Sequence, residues 1–161
     1  MAGKVKAVPD GAHTITAHLS VRDGAGAIDF YQRAFGAQVK GAHKTPDGRI
    51  MHASLKIGDS DLMLADEFPG SPVRAPQSLG GTSVVLNLMV EDVDSLWNRA
   101  VEAGAKVTMP LANQFWGDRY GQLLDPYGHS WALLSHVEDV APEEMERRSK
   151  AIFAEMAKKA G

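Results

Sequence analysis

The chain has no cysteine at any of its 161 positions. That excludes disulfide staples, thiolate zinc sites and a cysteine nucleophile together, and any metal would have to rely on histidine, aspartate or glutamate. No apolar run approaches the roughly 20 residues that span a bilayer. Long runs of like charge are missing too, and the net charge is only −3. Nucleic acid and anionic membranes both need a concentrated positive patch, so neither is expected as a partner. No glycine-rich phosphate loop of the Walker or dinucleotide type occurs. The segment Met1-Ala2-Gly3-Lys4-Val5-Lys6 lacks the apolar core of a secretory signal, which makes a cytoplasmic location the expectation. What is present, 44% hydrophobic and 23% charged residues, suits a globular domain large enough to bury a core.

The chain also says one thing twice. His18-Leu19-Ser20-Val21-Arg22-Asp23 is answered by Asn87-Leu88-Met89-Val90-Glu91-Asp92, 69 positions on. Gly36-Ala37-Gln38-Val39 is answered by Gly104-Ala105-Lys106-Val107 at an offset of 68, and the strand-like run from Gly58 to Leu64 by the run from Gly128 to Leu134 at 70. A nearly constant offset over three landmarks marks a tandem duplication. It allows each position to be judged against its twin.

Within each half the periodicities follow one order. Thr14 to Val21 alternates, with Ile15, Ala17, Leu19 and Val21 on one face and Thr14, Thr16, His18 and Ser20 on the other, which predicts a half-buried strand. Val84 to Val90 alternates in the same way and makes Asn87 the twin of His18. Asp23 and Asp92 are placed to cap the helices that follow. Ile28, Tyr31, Ala34 and Phe35 form an apolar stripe in the first helix, and Val93, Leu96, Trp97, Ala100 and Val101 form one in the second. Gly36 and Gly104 end them. Thr45-Pro46-Asp47-Gly48 is a turn signal before a strand from Met51 to Ile57, which carries His52, Ser54 and Lys56 on one face. Tyr120 to Asp125 is its counterpart, with Tyr120, Gln122 and Leu124 on the matching face. Both halves therefore read strand–helix–strand–strand–strand. The expected organisation is a first module over about 13–66, a Pro- and Gly-rich surface loop over 67–81, a second module over about 82–136 and a helical tail over 137–161. Pro142 suits the first turn of that tail helix. Met145, Ile152, Phe153 and Met156 give it an apolar side that must dock on this subunit or a second one.

Two βαβββ modules in tandem resemble the vicinal oxygen chelate superfamily of glyoxalases, ring-cleaving dioxygenases and fosfomycin- and bleomycin-resistance proteins. The resemblance runs from about Thr14 to Val140. It is carried by Ala27-Ile28-Asp29-Phe30-Tyr31 with Ala34-Phe35-Gly36-Ala37, by Met51-His52-Ala53, by Phe115-Trp116-Gly117-Asp118-Arg119-Tyr120-Gly121 and by Asp125-Pro126-Tyr127-Gly128-His129-Ser130-Trp131. The last three are similar to the PhnB-like branch. The resemblance implies an α+β fold in which curled mixed sheets surround a concave pocket, with helices outside and a C-terminal helix added. It also implies a homodimer. Combined with the alternation, it puts His18, His52, Ser54, Met63, Asn87, Tyr120, Gln122 and Ala132 on or near the concave side, with Phe115 and Trp116 at its rim. Such a mixture of apolar, aromatic and a few polar groups suits a small-molecule ligand. Trp97 and Trp131 fall on helix-packing faces and read as core.

Metal-dependent relatives implied by the resemblance use one ligand on the first and one on the last strand of each module. Here those positions are His18, Met63, Asn87 and Ala132. Only His18 is a usual ligand. A thioether is too soft, a carboxamide carries no charge and alanine offers nothing, whereas a hard divalent ion needs several oxygen donors. No metal or other cofactor is therefore expected. A rebuilt site from His18 and His52, with Asn87 or Gln122 opposite, is the competing arrangement; the plainer one has both imidazoles neutral and hydrogen-bonded. Asp118 and Arg119 are read first as making a structural ion pair or a backbone bond in the loop, and second as an acid and a cation at the pocket mouth. His13, His43, His129 and His136 read as turn or strand-end residues.

Three functions follow. The first is a metal-free homodimer that sequesters a flat or aromatic antibiotic or metabolite, with Trp116 as stacking platform. The second is a metal-dependent lyase, isomerase or dioxygenase. The third is metal-free acid–base catalysis, with His18 or His52 as the candidate catalytic group. Ser54 has no histidine–acid relay in view, which removes a serine hydrolase.

Overall fold

A computed structural model describes residues 5–159. The reading of the N-terminal segment as lacking a signal falls partly on residues 1–4, outside that range. The chain divides into two compact units that meet at Gly81 and Thr82.

The first unit contains β1 (Ala17–Val21), α1 (Gly24–Phe35), β2 (Gln38–Lys44), β3 (Ile50–Ile57), β4 (Ser60–Asp66) and α2 (Pro76–Leu79). The second contains β5 (Val85–Met89), α3 (Val93–Glu102), β6 (Lys106–Asn113), β7 (Asp118–Leu124), β8 (Ser130–His136) and α4 (Pro142–Lys159). The sheet orders are β1-β4-β3-β2 and β5-β8-β7-β6. In each sheet the first strand pairs in parallel with the last, and the other pairs are antiparallel. The two strand–helix–strand–strand–strand modules are thus as the periodicities imply, and the α+β class and the C-terminal helix as the resemblance implies.

α1 and α3 each cover one face of their own sheet. In the first unit Leu19, Val21, Ala53, Leu55, Leu62 and Leu64 are buried with Ala27, Phe30, Tyr31, Ala34 and Phe35 of α1. Phe30 belongs to this stripe, whereas Ile28 at its flank is only half-buried. In the second unit Val93, Leu96 and Ala100 are buried with Leu123, Trp131 and Leu133. Val101, expected in that stripe, is 39% exposed. Trp97 lies over Gly121, where a Cβ would come within 2.5 Å of the indole ring; a larger residue there would displace the helix. The β1 alternation reaches further than the strand does. Thr14 to Thr16 lie outside it, and Ile15 is 87% exposed. Alternation alone cannot mark where hydrogen-bonded partners run out.

The helix starts are tied down as the duplication predicts, and also by a pair of residues that the sequence does not advertise. Asp23 accepts from the Gly26 N–H and Asp92 from the Ser95 N–H. In addition, the buried carboxylate of Asp66 accepts from the Gly24 N–H at 2.8 Å and the Ile50 N–H at 2.6 Å. Its twin, Ser135, accepts from the Val93 N–H at 3.1 Å and donates to the Val90 carbonyl at 2.6 Å. Both units thus anchor the helix to the end of the last strand, with different chemistry.

The 67–81 segment is more than a surface loop. The Glu67 N–H continues the sheet by donating to the Val21 carbonyl, and the segment contains α2 with Ala75 and Pro76 buried. The tail departs in the other direction. The helix begins at Pro142 as expected, but none of its residues is buried; Phe153 is 64% and Met156 60% exposed. Its first turns are held by charge instead. Arg148 donates to both carboxylate oxygens of Glu138, to Glu144 and to the Phe115 carbonyl. Arg147 and Arg148 together hold the Glu144 carboxyl well down, at about 2. Among the described residues no helix is long and apolar enough to cross a membrane.

Candidate functional site

The strand registers convert the face assignments into rows. In the first sheet His18 is opposite Met63, which is opposite Ser54, which is opposite Gly41. The side chains of His18, Met63 and Ser54 alternate with the buried Leu19, Leu62, Leu64, Ala53 and Leu55 and so point away from α1. In the second sheet the corresponding row is Asn87, Ala132, Gln122 and Met109. One row further along, Met89, Leu134 and Tyr120 are aligned. The sequence-assigned residues therefore sort into two groups on two sheets: His18, His52, Ser54 and Met63 on the first, and Asn87, Tyr120, Gln122 and Ala132 on the second.

His18 and His52 meet edge to face, with ring centroids 5.7 Å apart. Neither imidazole has a hydrogen-bond partner among the described residues, which corrects the expectation of two hydrogen-bonded rings. Partial burial, reinforced by the neighbouring His52, pushes the His18 imidazole below its ordinary value, so it is neutral at pH 7. His18 borders a cavity of about 410 Å³. Ser20, Ala65, Asp66, Phe68, Ser71 and Val73 line that cavity with it. Phe68, Ser71 and Val73 come from the 67–81 segment and were not anticipated. They carry no periodicity, and only the folding-back of the segment brings them to the sheet.

On the second unit, Phe115 and Trp116 meet at 5.1 Å and Trp116 and Tyr120 at 5.6 Å, both edge to face. The Trp116 indole N–H donates to Asp118 at 2.9 Å, and Gln122 donates to the Tyr120 hydroxyl at 2.8 Å. These side chains form an aromatic shelf with fixed polar edges, and Asn87 stands beside the exposed Val85 and Met89 on the same sheet. Asp118 and Arg119 do not pair with each other. Arg119 makes a two-pronged bond with Asp94, at 2.6 and 2.8 Å, while Asp118 holds Trp116 and His136. Both are structural. His136, at the end of β8, lies between Asp118 and Asp139, which raise its affinity for a proton; the Asp139 bond contributes most. Trp131 is core, with its N–H on Asp125.

The metal-ligand positions of the resembling family can now be tested on their donors. His18 and Met63 are cross-strand partners, as are Asn87 and Ala132. At the positions that the resemblance implies, the donor set is one imidazole, one thioether, one carboxamide and one methyl group. That set does not fit a hard divalent ion. Among the described residues no three His, Asp or Glu side chains are grouped to hold a metal. The rebuilt His18–His52 site lacks a third ligand of those types on its own sheet.

The model of the glyoxalase/bleomycin resistance protein/dioxygenase superfamily matches residues 12–133. The chain belongs to that superfamily. An uncharacterised protein of Mycobacterium bovis is 45% identical over 135 residues, covering 82% of this chain and 89% of the relative. Among solved structures, TioX from a Micromonospora species superposes with a TM-score of 0.64 at 28% identity, over 78% of this chain and all of the other. The PhnB protein of Bacillus cereus superposes with a TM-score of 0.60 at 20% identity, over 76% and 99%; at that identity the likeness is one of fold.

Proposed function

We propose that this superfamily member is a metal-independent small-molecule-binding protein of the PhnB-like branch, which sequesters a flat or aromatic antibiotic or metabolite as a homodimer. The observation that carries this reading is the aromatic shelf of Phe115, Trp116 and Tyr120, whose polar edges are already satisfied. Such a surface can stack a planar ligand without reorganising its own hydrogen bonds. The donor set at the family's ligand positions supports metal independence, and the superfamily's inclusion of resistance proteins agrees with sequestration. The exposed Phe153 and Met156 of α4, with Val85 and Met89 of β5, supply apolar surface for a second subunit.

Titration with a panel of planar aromatic compounds tests the reading. Trp131 is buried and Trp97 packs over Gly121, so the fluorescence quenching by a stacked ligand should disappear in Trp116→Ala. Calorimetry on Trp116→Ala should show at least a tenfold loss of affinity, within the roughly 1–3 kcal/mol that base–aromatic stacking contributes elsewhere. Unchanged affinity in this variant would remove the shelf from the site.

A second reading, proton abstraction by His18, is favoured by one observation: its imidazole has no hydrogen-bond partner among the described residues and opens on a cavity, where partial burial disfavours its protonated form. Turnover of a bound ligand that His18→Gln abolishes, with binding retained, would establish it over pure sequestration.

A further inference from the structure

Next to the His18 cavity is a second one of about 530 Å³, and its lining is dominated by guanidinium groups. Arg22, Arg49 and Arg74 all line it, with Glu67 as the sole carboxylate among the lining residues. Phe68 and Ser71 are shared between the two cavities. Arg49 is paired with Asp47 and Arg74 with Glu67, which leaves Arg22 as the excess positive charge of the group.

The three arginines are held in place. Arg22 directs its Nε and one terminal nitrogen to the Ser78 hydroxyl, at 3.1 and 2.9 Å. The Ser78 hydroxyl in turn donates to Glu67, which also accepts from the Ala75 N–H and from Arg74. Arg74 reaches the Ser78 carbonyl as well, at 3.3 Å. Arg49 lies over the Phe68 ring, 4.7 Å from its centroid, with its Nε on Asp47. These bonds fix the guanidinium planes without using all their donors, since each guanidinium carries five N–H groups. Arg22 has no carboxylate partner among the described residues. The Glu67 carboxylate, stabilised chiefly by the Ser78 hydroxyl, stays ionised and acts as the brace of the network.

We infer that this cavity is an oxyanion site: it binds the carboxylate, sulfonate or phosphate group of a small molecule through Arg22, Arg49 and Arg74. Planar guanidinium groups with spare donors are suited to oxyanions, which accept two bonds from one fork. The shared Phe68 wall lets the rest of such a molecule extend toward His18. It rests on the proposed function for the ligand being a small molecule, and it gives the first unit an anionic group to hold.

The test uses the arginine Nε–H NMR signals of the full-length protein, titrated with inorganic phosphate and with sodium acetate, and with sodium chloride at matched ionic strength. Saturable shifts of Arg22, Arg49 and Arg74 with phosphate or acetate, against small linear shifts with chloride, are expected. Arg22→Gln and Arg49→Gln should each weaken that binding at least tenfold, read on the two remaining arginines, with thermal melts confirming the fold. Chloride-like behaviour of both oxyanions, or full affinity in both variants, would overturn the site. The aromatic-ligand reading fails separately. If planar compounds bind and the oxyanions do not, the oxyanion site is wrong and the shelf stands; the reverse outcome leaves the oxyanion site without the shelf.

Discussion

The turn Thr45–Gly48 and the turn Gln114–Gly117 are twins that have been put to different uses. Each closes with the same two backbone bonds: the Gly48 N–H to Thr45 and the Thr45 N–H to Arg49, then the Gly117 N–H to Gln114 and the Gln114 N–H to Asp118. Each ends on a left-handed glycine, with φ of 87° at Gly48 and 102° at Gly117. Around Gly48 there is open space, whereas a Cβ on Gly117 would lie 2.1 Å from the Glu138 carbonyl oxygen. The Val137 and Glu138 N–H groups both donate to the Gly117 carbonyl, and Arg148 ties Glu138 and Phe115 to α4. Duplication preserved the turn. The segment after β8 then clamped one copy, and the clamped copy is the one that presents Phe115 and Trp116.

Substitution at the two glycines gives the largest expected contrast. Gly117→Ala should destabilise by about 3 kcal/mol or more, because strain and a backbone clash add. Gly48→Ala should cost only about 1 kcal/mol, for the left-handed conformation alone. Chemical denaturation of both variants measures the difference, and equal losses would mean that the clamp is not rigid. The second contrast lies in the helix anchors. Asp66→Ala leaves two buried N–H groups without an acceptor and should cost about 2–4 kcal/mol, against about 1–2 kcal/mol for Ser135→Ala. A larger loss at Ser135 would reverse the ranking of the two anchors.

The smallest contrast is in acid response. His136 binds its proton more tightly in the fold, so its stabilisation is fully present below the ordinary histidine value of 6.5 and is lost as pH rises through the higher folded value. His18 binds its proton more weakly. Its contribution is intact above 6.5 and is lost as pH falls through the lower folded value. Thermal melts between about pH 5 and 8 should therefore show His136→Asn removing a loss on the alkaline side and His18→Gln removing one on the acid side. Slopes unchanged in both variants would show that neither ring sets them.

Much of this is legible in the sequence alone. The offset of the repeat announced both modules, and alternation put His18, Ser54, Asn87 and Gln122 on definite strand faces, whereas the rows that join them to Met63 and Ala132 appear only in the strand pairing. The misses have physical causes. Alternation at Thr14 to Thr16 continued past the last pairing partner. Asp66 and Ser135 look like ordinary strand-end polar residues until the N–H groups that they satisfy are seen. Phe68, Ser71 and Val73 line a cavity only because a segment without periodicity folds back on the sheet. Arg22, Arg49 and Arg74 are far apart in sequence, so no charge run betrays their convergence. The apolar side of α4 was readable, but amphipathicity does not say what a helix packs against.

The parallel pairing of first strand with last also has a consequence for synthesis. β1 lies at the edge of its sheet and bonds only to β4. A growing chain therefore cannot zip this module hairpin by hairpin from its N-terminus. β2, β3 and β4 can assemble as a meander of local contacts, but β1 must wait until Leu62 to Asp66 have left the ribosome. Loop closure over that span makes the first strand the slow, late-docking element. The second module repeats the delay with β5 and β8, so maturation should advance in two steps, each released by the arrival of its final strand.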